Sequence, residues 1–106
     1  MVNLREIQQE HYEISTKKGY TENWNNYGKI GDIAEVSLIV TEVSELLEEL
    51  RKHENKFSRE HIAEECADIV IRVMNFMSRK DLDLDIALWL KNNKNKNRRW
   101  LHGKAV

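Results

Sequence analysis

Apolar residues recur at steps of four and three along the middle of this chain, which is the spacing of one face of an α-helix. Val36, Val40, Val43, Leu47 and Leu50 show the pattern most clearly. The 106 residues include no proline and only four glycines, a composition that suits helices and is unusual for a β-rich or loop-rich fold. The sequence therefore predicts an all-α protein.

Similar apolar stripes and capping residues predict four helices. The first covers residues 3–17 and the second 32–53, with a polar, aromatic connection over 20–31. The third follows Ser58, a suitable N-cap, and ends near 78. The fourth begins at Asp81 or Asp83 and runs through Leu90 into the tail. Short connections favour antiparallel neighbours, so we expect residues 1–106 to form one domain, a small four-helix bundle.

Two carboxylate pairs, Glu42-x-x-Glu45 and Glu65-x-x-Asp68, lie within the second and third predicted helices. A step of three residues turns a helix by about 300°, so each pair projects from one side, next to apolar residues. If the helices pack together, four acids share one cleft and repel one another unless cations lie between them. Oxygen-binding divalent metals such as Mg²⁺ suit such a cleft. The alternative is an ordinary solvated, charged face.

Charge is unevenly distributed, although the net charge is only −1. Nine acids and four bases occur from Glu42 to Asp68, whereas Lys91 to Lys104 holds six bases and no acid. An acidic centre and a basic tail are able to hold a metal and a phosphate at two ends of one site. The alternative is a solvated face followed by a basic tail.

Other metal sites find little support in the sequence. Di-iron carboxylate bundles need Glu-x-x-His steps, and none of the four histidines has a glutamate three residues before it. A closed zinc site is disfavoured by one cysteine and scattered histidines. We expect that cysteine, Cys66, and also Trp89 to be buried among apolar helix residues.

Location and association follow from apolar patterning. No apolar run approaches the roughly 18 residues of a membrane span, and the N-terminus lacks the apolar core of a signal peptide, so we expect a cytoplasmic protein without membrane contact. The apolar surface exceeds what one small core needs, which predicts association with a second copy. The residues counted as this excess are Val36, Val40, Val43, Leu47, Val70, Met74 and Met77.

The chain resembles the MazG-like nucleoside triphosphate pyrophosphohydrolases in several motifs. The segments 39–51 (IVTEVSELLEELR) and 64–72 (EECADIVIR) are similar to that family's E-x-x-E and E-x-x-D signature, with a gap of 19 residues from Leu46 to Glu64. Lys18-Gly19-Tyr20 resembles the entry to the first loop in one subgroup. The subgroup's ending, K-x3-N-x2-R-x3-H-G-K, is matched by Lys91, Asn95, Arg98 and the run 102–104.

This resemblance implies an all-α enzyme that hydrolyses a nucleoside triphosphate, with either ribose or deoxyribose, to the monophosphate and pyrophosphate. It implies a Mg²⁺ cofactor, with Mn²⁺ as a substitute, and a homodimer or a dimer of dimers. By position, the metal ligands would be Glu42, Glu45, Glu65 and Asp68, with Glu42 or Glu45 also handling the attacking water. The phosphate or sugar contacts would be Lys91, Asn95, Arg98 and Lys104.

The residues alone leave several readings open. Trp24 is a candidate for stacking on a base or for covering the core, and Arg72 for neutralising an acid or binding phosphate; we favour the structural role for Arg72. A non-catalytic helical interaction module is one alternative function. A nucleic-acid binder using the basic tail is another, less favoured because the neighbouring acids would repel a long polyanion.

Overall fold

The computed structural model describes residues 3–19, 24, 26–53 and 59–98. Within these ranges it contains four α-helices and no β-strand. They are α1 (Leu4–Lys17), α2 (Gly28–His53), α3 (Arg59–Arg79) and α4 (Leu84–Lys96). The all-α prediction is confirmed.

Two helices begin at residues whose side chains cap them. The Asn3 side chain accepts a hydrogen bond from the Glu6 backbone N–H at 2.9 Å, and Asp83 accepts one from the Ile86 N–H at 3.1 Å. Each satisfies a donor that the first helical turn leaves free. Of the two candidates for the start of α4, Asp83 is therefore the one used. The predicted cap at Ser58 lies outside the described residues.

The start of α2 corrects the sequence prediction. Residues 28–31 were expected to belong to the polar, aromatic connection, but they form the first turn of α2. Gly28 has a left-handed φ of 54°, which a glycine adopts without penalty. Gly31 is buried against the Trp24 backbone. Close packing, rather than chain reversal, accounts for the second glycine.

The helix α3 packs against both α1 and α2, and α4 packs against α1. Gln8 of α1 connects that helix to the end of α3, to the following turn and to the start of α4. Its buried amide donates to the Ser78 hydroxyl and to the Leu82 carbonyl, each at 2.8 Å, and accepts from the Leu84 backbone N–H at 2.9 Å. It thereby fixes the turn between α3 and α4 against α1. Asp81 makes that turn tight with a left-handed φ of 57°.

Among the described residues the apolar core is very small. Met74 is the one apolar side chain that is almost fully buried, at 2% exposed, so its assignment to the excess surface was wrong. Val36, Val40, Val43, Leu47 and Val70 are indeed exposed, as expected.

Two burial predictions were wrong: Trp89 is 66% exposed and Cys66 is exposed. Although α4 packs against α1, its apolar residues Ile86, Leu88 and Leu90 are also about half exposed in this single copy. In the ranges described here, no helix has both the length and the apolar character required to cross a bilayer.

Candidate functional site

A cavity of about 530 Å³ opens between α1, α2 and α3. Trp24, which precedes α2, also lines it. The complete lining consists of Ser15, Trp24, Glu35, Leu38, Glu42, Asp68, Ile71, Arg72 and Asn75. Its size is in the range of small-molecule sites, and its wall combines apolar side chains with a few polar groups, as such sites do.

The position of Trp24 depends on Gly31. A Cβ atom added at Gly31 would lie 2.1 Å from the Trp24 carbonyl oxygen, far inside van der Waals contact. Only a residue without a side chain permits this approach. The Tyr27 backbone N–H donates to the same carbonyl at 3.3 Å. The start of α2 therefore holds Trp24 at the cavity wall.

Glu42 of α2 and Arg72 of α3 meet at the cavity. The Arg72 Nε–H donates to Glu42 Oε1 at 2.5 Å. The other carboxylate oxygen, Oε2, is buried and has no hydrogen-bond partner among the described residues. An unpaired buried oxygen of this kind is costly, and a movement of the Glu42 side chain that opens Oε2 to the cavity would let a cation or a hydrogen-bond donor satisfy it.

Asn75 adds a second polar group of this kind. Its amide nitrogen donates to the Ser15 hydroxyl at 2.9 Å, which ties α3 to α1. Its carbonyl oxygen is buried and, within the described part of the chain, unpartnered. Since amide oxygen and nitrogen are assigned by their partners, the unsatisfied atom of Asn75 is either a donor or an acceptor.

A buried ion-pair cluster supports one wall of the cavity. The Arg79 side chain is only 3% exposed and donates to Glu35 at 2.8 Å and to Asp32 at 2.5 Å. Lys80 also binds Asp32, at 2.8 Å. These bonds link the end of α3 to the first turns of α2. They hold Glu35 in place at the cavity.

The cluster shifts the pKa values of its members in the stabilising direction. Hydrogen bonds from Lys80 and Arg79 lower the pKa of Asp32 below its ordinary value. Burial lowers the pKa of Arg79, but its bonds to Asp32 and Glu35 outweigh that effect and leave the pKa raised. Asp32 and Arg79 are therefore both charged at neutral pH.

The structure brings together some of the predicted site residues. Glu42 and Asp68 line the cavity from facing helices, and Trp24 joins them. Glu45 is exposed and outside the lining, and Glu65 lies 3.6 Å from His61 Nε2 on its own helix. No three or more His, Cys, Asp or Glu side chains form a metal-binding group within the described residues. The four-ligand set stays a prediction.

The predicted phosphate contacts lie apart from the cavity. Lys91, Asn95 and Arg98 are exposed on α4 or just after it. Asn95 lines a separate shallow depression with Asp85, Leu88, Trp89 and Asn92. Lys104 lies outside the described residues. Within one copy of the described chain, the tail and the cavity are not joined.

Three polar lining residues, Glu35, Asn75 and Ser15, were not among the predicted site residues. Glu35 falls on the acidic side of α2 in a helical projection, so the sequence alone could have identified it as a candidate site residue. Asn75 lies seven residues after Asp68, on the same face of α3. Ser15 gives no signal in the sequence, because only the packing of α1 brings it to the cavity.

Comparison with known proteins adds no relative: no protein-family model, no curated protein and no solved structure matches this chain.

Proposed function

We propose that this protein hydrolyses a nucleoside triphosphate to the monophosphate and pyrophosphate, with a divalent cation bound at Glu42 and Asp68. The observation that carries the proposal is that Glu42, whose Oε2 is buried and unpartnered within the described residues, lines the same cavity as Asp68 from the facing helix. The motif resemblance supplies the reaction class.

The donor set at the cavity suits Mg²⁺ in its chemistry. Mg²⁺ is usually held by one or two carboxylates together with waters and substrate phosphates, and two carboxylates from different helices are present here. Glu45 and Glu65 are each one turn from one of these acids and would join the set after side-chain movement. When bound, the ion would stabilise negative charge on phosphate oxygens and lower the pKa of a bound water.

The other lining residues suit a nucleotide. Trp24 provides an aromatic face for a base, and Asn75 provides a hydrogen-bonding group near Ser15. Glu42 or Glu45 would orient the water that attacks the α-phosphorus and would accept its proton. Leu38 and Ile71 make part of the wall apolar, which limits access of bulk water.

A substrate panel tests the reaction. Ribo- and deoxyribonucleoside triphosphates are incubated with Mg²⁺ or Mn²⁺, and nucleotide products and phosphate species are separated by ion-exchange chromatography. Monophosphate and pyrophosphate are expected. A diphosphate with orthophosphate would contradict attack at the α-phosphorus. No release from any nucleotide would favour a non-catalytic interaction module.

We also propose that two copies associate through α2. An apolar stripe of Ile33, Val36, Val40, Val43, Leu47 and Leu50 follows steps of three and four, and its members are 36–59% exposed. This is the a/d spacing of helices that pack against each other. Along a 26-residue helix of about 39 Å, it offers a long apolar surface that a second copy of α2 would cover.

Sedimentation-velocity centrifugation tests the association. We expect the unchanged protein to sediment as a dimer or tetramer and Val43→Asp to shift it toward monomer, because a charge would be buried in the contact. Ser44→Asp is the matched control, since Ser44 is exposed and outside the stripe. Equal shifts in both variants, or a monomeric unchanged protein, would contradict the proposal.

A further inference from the structure

The bond between Arg72 and Glu42 places a cation of the protein itself where the proposed metal ion would bind. The guanidinium bonds one carboxylate oxygen at 2.5 Å, and the second oxygen is buried and unpartnered. Both residues line the cavity. A divalent ion at Glu42 would therefore meet a positive charge on the same carboxylate, and like charges at such distances repel.

Arg72 differs from the neighbouring Arg79 in how firmly it is held. The Arg72 side chain is 48% exposed and pairs with the carboxylate of Glu42. Arg79 is 3% exposed and bonds two carboxylates. A long, half-exposed side chain is able to turn toward water without uncovering much apolar surface. The Arg72 side chain is therefore able to leave its carboxylate partner, whereas Arg79 is held in place by burial and by two carboxylates.

We propose that Arg72 is an intramolecular competitor of the divalent cation: it neutralises Glu42 in the metal-free protein and is displaced when the ion binds. The inference rests on the proposed function only in taking Glu42 as a metal ligand. Displacement leaves the guanidinium at the cavity rim, facing an anionic ligand instead of a carboxylate. Binding of the divalent ion and release of Arg72 from Glu42 then occur together.

Removing the competitor should strengthen metal binding. We expect Arg72→Gln to raise the affinity for Mn²⁺ about three- to tenfold, since the ion no longer displaces a charge-assisted bond. The measurement is the loss of the free Mn²⁺ signal in electron paramagnetic resonance at constant ionic strength. Arg72→Met, which keeps the unbranched stem, is used if Arg72→Gln loses its helical circular dichroism.

The matched control is Arg59→Gln. Arg59 is exposed on the same helix, and its Cα lies about 20 Å from that of Arg72 along α3, beyond the screening length of physiological salt. The same charge is lost, but we expect the Mn²⁺ affinity to change less than twofold. An equal gain in both variants would show a general charge effect and would overturn the proposal.

A measurement on the unchanged protein detects the displacement of Arg72 from Glu42 directly. In a ¹⁵N nuclear magnetic resonance titration with Mg²⁺, the Arg72 Nε–H signal should move, while the Arg79 Nε–H signal should remain. An unmoved Arg72 signal under saturating Mg²⁺, or an Arg72→Gln variant with unchanged metal affinity, refutes competition but leaves the proposed function standing. Absence of Mn²⁺ binding in the unchanged protein and in all variants refutes both.

Discussion

Replacing Arg79 by methionine should destabilise the protein more than any other single charge removal near the cavity. Methionine keeps an unbranched stem of similar length, so the lost element is the guanidinium. Glu35 would then lie at 9% side-chain exposure without its partner. Asp32, at 23% exposure, would still bind Lys80 at 2.8 Å. Most of the cost therefore comes from Glu35.

The expected loss is about 3–4 kcal/mol of unfolding free energy. Leaving one member of a buried ion pair without its partner typically costs about 3–5 kcal/mol, and the remaining bond to Lys80 places this case toward the lower end. Loss of the contact between the guanidinium and the Phe76 ring, 5.7 Å from its centroid, adds about 0.5 kcal/mol. For a domain of this size, the melting temperature should fall by at least about 12 °C.

Urea unfolding followed by circular dichroism at 222 nm provides the measurement, at one fixed protein concentration because association alters apparent stability. Lys80→Met is the matched control: it removes a neighbouring, 42% exposed charge from the same Asp32 and should cost less than about 1 kcal/mol. The double variant Arg79→Met/Glu35→Gln should recover part of the loss, since no buried charge remains. Equal effects of Arg79→Met and Lys80→Met would refute the reasoning.

Three further predictions concern the site, the tail and acid stability. Asp68→Asn or Glu42→Gln should abolish Mg²⁺-dependent pyrophosphate release while leaving the helical circular dichroism intact; near-normal turnover would remove these residues from the proposed ligand set. Arg98→Ala should weaken nucleotide binding roughly ten- to a hundredfold, as expected for a lost charge-assisted hydrogen bond, and leave Mn²⁺ binding unchanged in calorimetry. Because the pKa of Asp32 is below its ordinary 3.8, its contribution to stability is present above that pH and is lost as pH falls through the lowered value. Asp32→Asn should therefore flatten the acid side of a stability–pH curve below about pH 4, and an unchanged curve would contradict that assignment.

The helices were predictable because their signals are local. Apolar steps of three and four, the caps at Asn3 and Asp83, and the absence of proline act within a few residues of chain. The polar, aromatic character of residues 20–31 placed the predicted start of α2 too late, and its glycines give no clear signal, because glycine marks a turn in one setting and a close packing contact in another. Only the contact with Trp24 distinguishes the two.

The site was predictable in part for the same reason. Glu42 and Asp68 lie on helix faces that periodicity identifies, whereas Ser15 reaches the cavity through packing between distant segments. The pairing of Arg72 with Glu42, separated by 30 residues, fits the favoured structural reading of Arg72, but no rule of spacing specifies it. Burial of Trp89 and Cys66 was expected because both lie among apolar helix residues. The expectation failed because apolar periodicity does not state which face a single copy covers.

The central position of α3 has a consequence for the order in which this chain folds. Since α3 packs against both α1 and α2 and supplies four of the lining residues, the cavity is incomplete until that helix is formed and docked. Substitutions at the inner face of α3, such as Met74→Ala, should slow refolding, whereas substitutions in α4 should mainly speed unfolding. The assembly of the ligand site and the rate-limiting step of folding would then depend on one helix.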